Sequence, residues 1–160
     1  MYTAAILTIS DSAHQGKRED LSGPAVVAEL KAAGFQIAKT AVVPDEQDQI
    51  EEALKTYSRE AKLIVTTGGT GIAKRDVTPE ATLAVVDRVV PGIAERMRAL
   101  GALKTPLAAL SRGVCGIRGQ ALILNLPGSP KAAVESLQAV IDVLPHALEL
   151  IGGKTEHEAI

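Results

Sequence analysis

Apolar residues fall along this chain in short dense runs, separated by polar turns rich in glycine and proline. Ala4-Ala5-Ile6-Leu7 with Ile9, Leu63-Ile64-Val65 and Ala121-Leu122-Ile123-Leu124 are nearly continuous. Such runs belong to strands covered on both faces. The pattern predicts strands over 2–10, 35–43, 63–67, 107–116 and 120–126. Between them the period lengthens to that of helices, predicted over 22–33, 48–59, 79–89 and 93–100. Another runs from Pro130 to a break at Pro145, and a last piece reaches Ile151. Gly34 stops the first helix, Asp48 reads as the cap of the second, and Thr78-Pro79-Glu80 has the form of a helix start. Apolar faces are expected from Val26, Val27 and Leu30, from Leu83, Val85 and Val86, and from Ala133, Val134, Leu137, Val140 and Ile141. Strands alternating with helices predict a three-layer α/β/α fold around a mostly parallel sheet. A hairpin turning at Ile117-Arg118-Gly119 would add one antiparallel strand. With no linker, repeat or low-complexity stretch, 1–160 reads as one domain. The polar loop after Ser12, through Asp20, is long for a strand-to-helix link, which points to function or mobility, while the charges at its tip read as plainly solvated; the tail after Gly152 reads as loose.

Composition narrows the function. At 160 residues, 46% hydrophobic and 22% charged, the chain has enough apolar surface for a real core. Aromatics are 2% and tryptophan is absent, so the core is aliphatic and offers no platform for stacking bases. A net charge of -2 gives no basic footprint for nucleic acid. The single cysteine, Cys115, fits a reducing compartment and reads as a buried structural thiol. No leader pattern opens the chain, and no uncharged apolar run reaches the roughly 18 residues of a membrane span. The expected location is the cytoplasm.

The chemistry concentrates in one stretch. The run Leu63-Ile64-Val65 breaks into Thr66-Thr67-Gly68-Gly69-Thr70-Gly71, followed by Asp76 and Thr78-Pro79-Glu80. Glycines admit positive φ and close approach of a ligand to the main chain. Successive bare N–H groups make a concave nest for an anion, and a helix N-terminus adds to it. The loop alone is equally compatible with a plain chain reversal. It lacks the Gly-Lys-Ser/Thr of a Walker loop and the spacing of the dinucleotide fingerprint.

Ligands of open α/β sheets bind beyond the carboxyl ends of the parallel strands. Four unusual stretches follow strands directly: Ser10-Asp11, Pro44-Asp45-Glu46, Thr67–Gly71 and Pro127-Gly128-Ser129. Topology brings them to one edge, which favours a phosphate-bearing ligand. Mg²⁺ takes one or two carboxylates and bridges phosphate oxygens; Asp11, Asp45 and Asp76 are the candidates, each also readable as a cap or turn residue. His14, His146 and His157 are scattered and form no zinc-like cluster. Arg112 and Arg118 are open to two readings, contact with an anionic ligand or plain surface charge.

These motifs carry a resemblance. The stretches LTISDSAHQGKREDLSG, VVPDEQ, LIVTTGGTGIAKRDVTPEAT and ALSRGVCGIRGQALILNLPGSPKA occur in this order over nearly the whole chain. They resemble the molybdopterin-binding proteins of the MogA/MoaB family, related to the G domain of gephyrin, with PDEQ and RDVTPEATLAV nearer the MogA pattern. The resemblance implies the molybdopterin-binding fold and molybdopterin adenylyltransferase activity in molybdenum cofactor biosynthesis. ATP and molybdopterin would be the substrates, Mg²⁺ the cofactor, and adenylyl-molybdopterin and pyrophosphate the products. It implies a homotrimer, or a hexamer, and hand-over to a molybdenum insertase. Asp45 and Asp76 match the family's essential aspartates and are expected to be catalytic and to hold the metal. Thr67, Gly68, Gly69, Thr70 and Gly71 match its phosphate-holding loop. Ser10 and Asp11 match the SD element, Ser111 a serine implicated in pterin binding, and Gly128 and Ser129 the LPG loop. The alternative is a MoaB-like molybdopterin carrier without adenylyl transfer.

Overall fold

The computed structural model describes residues 1–154. The elements are β1 (Thr3–Ile9), α1 (Asp11–His14), α2 (Ser22–Ala32), β2 (Gln36–Val43), α3 (Gln47–Glu60), β3 (Leu63–Thr67), α4 (Thr78–Val85), β4 (Arg88–Val89), α5 (Pro91–Ala102), a 3₁₀ turn (Pro106–Leu110), β5 (Cys115–Arg118), β6 (Ala121–Leu126), α6 (Pro130–Val140) and α7 (Leu144–Ile151). The strands form one six-stranded sheet in the order β2-β1-β3-β6-β5-β4. β2, β1, β3 and β6 pair in parallel. β5 is antiparallel to both β6 and β4, so it alone runs against the rest.

The dense apolar runs are sorted by the alternation of side chains across a strand. Ile6, Leu63, Val65, Leu122, Leu124 and Leu126 face α2, α5, α6 and α7, where Leu30, Met97, Leu137 and Leu144 meet them. Leu7, Ile9, Ile64 and Ile123 face α3 and α4 against Ile50, Leu54 and Val85. Every residue of β3 and β6 is buried, which is why their sequences are mostly apolar, with only Thr66, Thr67 and Asn125 polar. Cys115 is buried in the first of these layers, and burial pushes its thiol pKa up to about 12, as a structural role requires.

Several expectations need correction. The predicted strand over 107–116 is two elements. Thr105 Oγ1 accepts from the Leu107 N–H, and Pro106 opens a 3₁₀ turn; β5 begins only at Cys115. The hairpin therefore turns at Gly119-Gln120, because Arg118 already pairs with Ala121. The helix predicted over 79–89 ends at Val85, and Arg88–Val89 pair with β5 as β4. Gly116 permits that crossing: a Cβ there would stand 2.6 Å from Val86 Cγ1. Leu83 is exposed, not core. α3 is preceded by Glu46 as its N-cap, so Asp48 lies in its first turn. Thr78 is likewise inside α4, which Val77 precedes. Pro91-Gly92 opens α5 instead of interrupting a helix, and Pro145 lies in the first turn of α7, after α6 has ended at Val140. The segment after Ser10 is partly ordered as α1, and Asp20 accepts from Thr8 Oγ1 at 2.8 Å and from the Gly23 N–H at 3.0 Å. Main-chain bonds from Gly153 and Lys154 close the end of α7. The rest of the tail expected to be loose, and His157 with it, lies outside the described residues.

Candidate functional site

The four parallel strands deliver their special residues to one edge. At the end of β1, Ser10 Oγ accepts from the Ala13 N–H at 3.2 Å and caps α1. Asp11 and Asp45 then bridge the ends of β1 and β2 reciprocally. The Asp11 N–H donates to Asp45 Oδ2 at 2.9 Å, and the Asp45 N–H donates to Asp11 Oδ1 at 3.0 Å. At the end of β6, Ser129 Oγ accepts from the Ala132 N–H and caps α6.

Between these ends lies the glycine loop. Thr67 Oγ1 donates to the Pro127 carbonyl at 2.7 Å, and the Gly68 N–H donates to the Leu126 carbonyl. Gly68 and Gly69 both take positive φ, 101° and 68°. The loop is fastened from below by hydroxyls. Thr78 Oγ1 donates to the Gly68 carbonyl, Thr82 Oγ1 to the Thr78 carbonyl, and Asn125 Nδ2 to both Thr66 and Thr82. Among the described residues, the N–H groups of Gly69, Thr70 and Gly71 donate to no protein acceptor. Held in place and without a protein partner, these N–H groups are available to an anion.

Two carboxylates flank these N–H groups. A Cβ on Gly69 would stand 3.1 Å from Asp45 Oδ1, and one on Gly71 would stand 2.8 Å from Asp76 Oδ2. Asp76 Oδ2 also accepts from the Ala73 N–H at 3.0 Å. Burial raises the Asp45 pKa above the ordinary aspartate value, and the negative charges of Asp11 and Asp76 add to the rise. Asp11 moves the other way, because the Arg75 guanidinium bonded to it favours the carboxylate. Arg75 reaches Asp11 at 2.6 Å, Glu46 at 2.8 Å and the Asp45 carbonyl at 3.2 Å. Among the described residues no three His, Cys, Asp or Glu side chains gather as a metal cage. Two oxygen donors beside unpartnered N–H groups instead fit a hard cation that shares its ligands with phosphate.

The loop opens into a cavity of about 810 Å³, at the upper end of the range for small-molecule sites. Gly69, Thr70, Gly71, Asp76, Ser111, Gly128 and Ser129 line it. Its other wall is largely apolar, with Met97, Leu100, Leu103, Leu107 and Leu110. Asp45 stands behind Gly69. Ser10, Asp11, Thr67 and Gly68 do not reach the wall, and their bonds shape the strand ends that carry it.

Residues 5–146 match the family model described as "Probable molybdopterin binding domain". The chain belongs to the molybdopterin-binding domain family. Over 165 aligned residues it is 44% identical to the molybdopterin adenylyltransferase of Haemophilus influenzae, covering 92% of this chain and 83% of that protein. It is also 44% identical to the molybdenum cofactor synthesis protein cinnamon of Drosophila melanogaster over 94% of this chain, but this domain spans only 26% of that longer protein. The solved structure of the molybdopterin biosynthesis enzyme MoaB from Thermus thermophilus superposes with a TM-score of 0.91 at 52% identity, covering 96% of this chain and 98% of that one. The mixed sheet between helices is thus the fold of this molybdopterin-binding domain.

Sequence reasoning does not find that two arginines brace the site: Arg75 is not singled out, and the bracing role of Arg112 is not read. Arg75 clamps the β1 and β2 ends. Arg112, open to the readings of ligand contact or surface charge, is instead bonded to the glycine loop and does not line the cavity. Arg118 donates to the Val85 carbonyl at the end of α4. Nothing in their local sequence marks these roles, since each acceptor lies 29 to 64 residues away.

Proposed function

We propose that this protein is a molybdopterin adenylyltransferase of molybdenum cofactor biosynthesis. An oxygen of the terminal phosphate of molybdopterin attacks the α-phosphorus of ATP. The bond from that phosphorus to the bridging oxygen of the β-phosphate breaks, and pyrophosphate leaves. One observation carries the reading: a set of unpartnered N–H groups between two carboxylates, opening into a cavity of about 810 Å³. Both substrates are anions, so catalysis rests on in-line positioning and on neutralising charge.

Within the Thr67–Gly71 loop, the Gly69, Thr70 and Gly71 N–H groups would hold phosphate oxygens, with Thr67 and Gly68 anchoring the loop to Pro127 and Leu126. Asp45 and Asp76 would hold Mg²⁺, which when bound shields charge on the leaving pyrophosphate. Ser111, Gly128 and Ser129 would meet the pterin-bearing substrate from the cavity wall, while Ser10 and Asp11 support Asp45. The exposed Leu103 and Leu107 at the cavity supply apolar surface for contacts between copies, in keeping with a homotrimer or hexamer that hands its product to a molybdenum insertase. The single cysteine favours a cytoplasmic location, and among the described residues no helix is long and apolar enough to cross a membrane.

The test is pyrophosphate release from ATP and Mg²⁺ with and without molybdopterin, with the adduct identified by mass. Molybdopterin-dependent release together with adenylyl-molybdopterin is expected. The 52% identity to the structure named MoaB keeps a second reading, a molybdopterin carrier; tight pterin binding with no adduct would establish that one instead.

The pH profile should carry the mark of Asp45. Its pKa is raised above the ordinary 3.8, and only the carboxylate can serve a cation. The acid limb of kcat/KM is therefore expected at a pH above the ordinary aspartate value, with activity rising as pH rises through it. A profile flat from about pH 4 to pH 8 would refute that assignment. The stability sign is opposite. The fold favours protonated Asp45, so this group's contribution is present at acid pH and lost as pH rises through the raised pKa. Asp11, lowered by Arg75, stabilises above the ordinary value and loses its contribution as pH falls through its folded pKa.

A further inference from the structure

We infer that Arg112 is the positioning residue that holds Asp76 and the glycine loop in working geometry, acting from outside the cavity. This rests on the function proposed above. Arg112 lies between the 3₁₀ turn and β5. Its main-chain N–H donates to the Thr70 carbonyl at 2.7 Å. Its side chain then spreads over three more acceptors: Nε to the Gly71 carbonyl at 2.8 Å, Nη2 to the Asp76 carbonyl at 2.7 Å, and Nη1 to Glu80 Oε1 at 2.5 Å. One residue thus grips the chain at positions 70, 71, 76 and 80, on both sides of the turn that carries the Asp76 carboxylate. The Ala73 N–H closes that turn onto Asp76 Oδ2.

Two further facts fix the role. Arg112 does not line the cavity, so its influence on a bound substrate passes through the loop. The grip also has a charged anchor: Arg112 favours the Glu80 carboxylate by its hydrogen bond, and Glu80 lies in the first turn of α4. The guanidinium is a planar fork whose separate nitrogens reach acceptors in different directions. A lysine ammonium carries the same charge on one atom and cannot span Gly71, Asp76 and Glu80 together.

The experiment compares Arg112→Lys and Arg112→Ala with wild type, measuring kcat and KM for ATP with molybdopterin saturating. Amide hydrogen exchange of Ala73 and Asp76 is followed in parallel. Displacement of a catalytic group by about 1 Å costs on the order of 10²-fold in rate, so kcat is expected to fall by roughly that factor in both variants. KM for ATP should stay within about threefold, and exchange at Ala73 and Asp76 should quicken while β3 stays protected. Lysine restoring wild-type kcat would show that charge alone suffices and overturn the inference. A rise in KM with kcat intact would overturn it too, by making Arg112 a direct ligand of phosphate. Unchanged exchange at Ala73 and Asp76 would overturn it even if the wild-type protein transferred no adenylyl group. Absent turnover in wild type is the separate failure of the proposed function, and the exchange comparison still decides the grip.

Discussion

Asp76→Asn is expected to give a folded protein that has lost adenylyl transfer. The amide oxygen can still accept from the Ala73 N–H, the bond that Asp76 Oδ2 makes now, so the turn survives. The negative charge beside Gly71 does not. Removing one group that stabilises charge in the transition state costs about 10²–10³-fold in kcat, and a loss of this size is expected. Asp45→Asn should match it, because its carboxylate faces the same loop from the Gly69 side. The fold should tolerate that change well: burial already disfavours the Asp45 charge, and an asparagine oxygen can keep the bond from the Asp11 N–H. Asp45→Asn is therefore expected to melt no lower than wild type at neutral pH.

The double variant separates two meanings of this pair. If both carboxylates serve one cation, losing the second adds little to losing the first, since groups acting as a unit are strongly non-additive. If each acts alone, the losses multiply. Steady-state rates for wild type, the two single variants and the double variant settle the matter. Wild-type turnover in both single variants would end the assignment of either aspartate to the chemistry.

The site could be read from the sequence to the extent that it depends on topology. The runs that became β1, β3 and β6 are buried on both faces, so their sequences announce strands, and parallel strands put their carboxyl ends together. That topology alone places Asp11, Asp45, the glycine loop and Gly128 at one edge. What stayed hidden depends on distant partners. β4 is two residues long, and its pairing is made possible by Gly116 on the neighbouring strand. Pro106 to Leu110 is apolar enough to pass for strand, yet Thr105 and Pro106 start a 3₁₀ turn whose Leu107 lies exposed. Thr67 read as a phosphate-loop residue, but its hydroxyl is buried on the Pro127 carbonyl. The bracing by Arg75 and Arg112 was not legible because their acceptors come from other loops. The strand ends supply the site's chemistry, and these long-range bonds hold it in register.

Gly68→Ala is expected to be the most damaging small change in the molecule. Gly68 is buried at φ 101°, a conformation that costs a side-chain-bearing residue about 1–3 kcal/mol. An added Cβ would also run into the carbonyl oxygen of Ile9, which is main chain at the end of β1 and cannot swing aside. The loop cannot retreat either, because the Gly68 N–H is bonded to Leu126 and its carbonyl accepts from Thr78. Overpacking of this kind adds about 1–3 kcal/mol, so a total near 3 kcal/mol or more is expected. That is a large share of the roughly 5–15 kcal/mol that holds a domain together. At about 2–4 °C per kcal/mol for a chain of this size, the melting temperature should drop by about 10 °C. Two other glycines calibrate the measurement. Gly16 has φ 73° with nothing within 4 Å, so Gly16→Ala should cost only the conformational part, about 1–2 kcal/mol. Gly92 lies in the first turn of α5, with no positive φ and open space around it. Gly92→Ala should stabilise by about 0.4–1 kcal/mol through the unfolded chain. Thermal unfolding of the three variants should rank them Gly92→Ala, Gly16→Ala, Gly68→Ala from most to least stable. If Gly68→Ala melted beside Gly16→Ala, the β3 loop would have room to yield, and the nest would not be the rigid anion cradle on which the proposed chemistry rests.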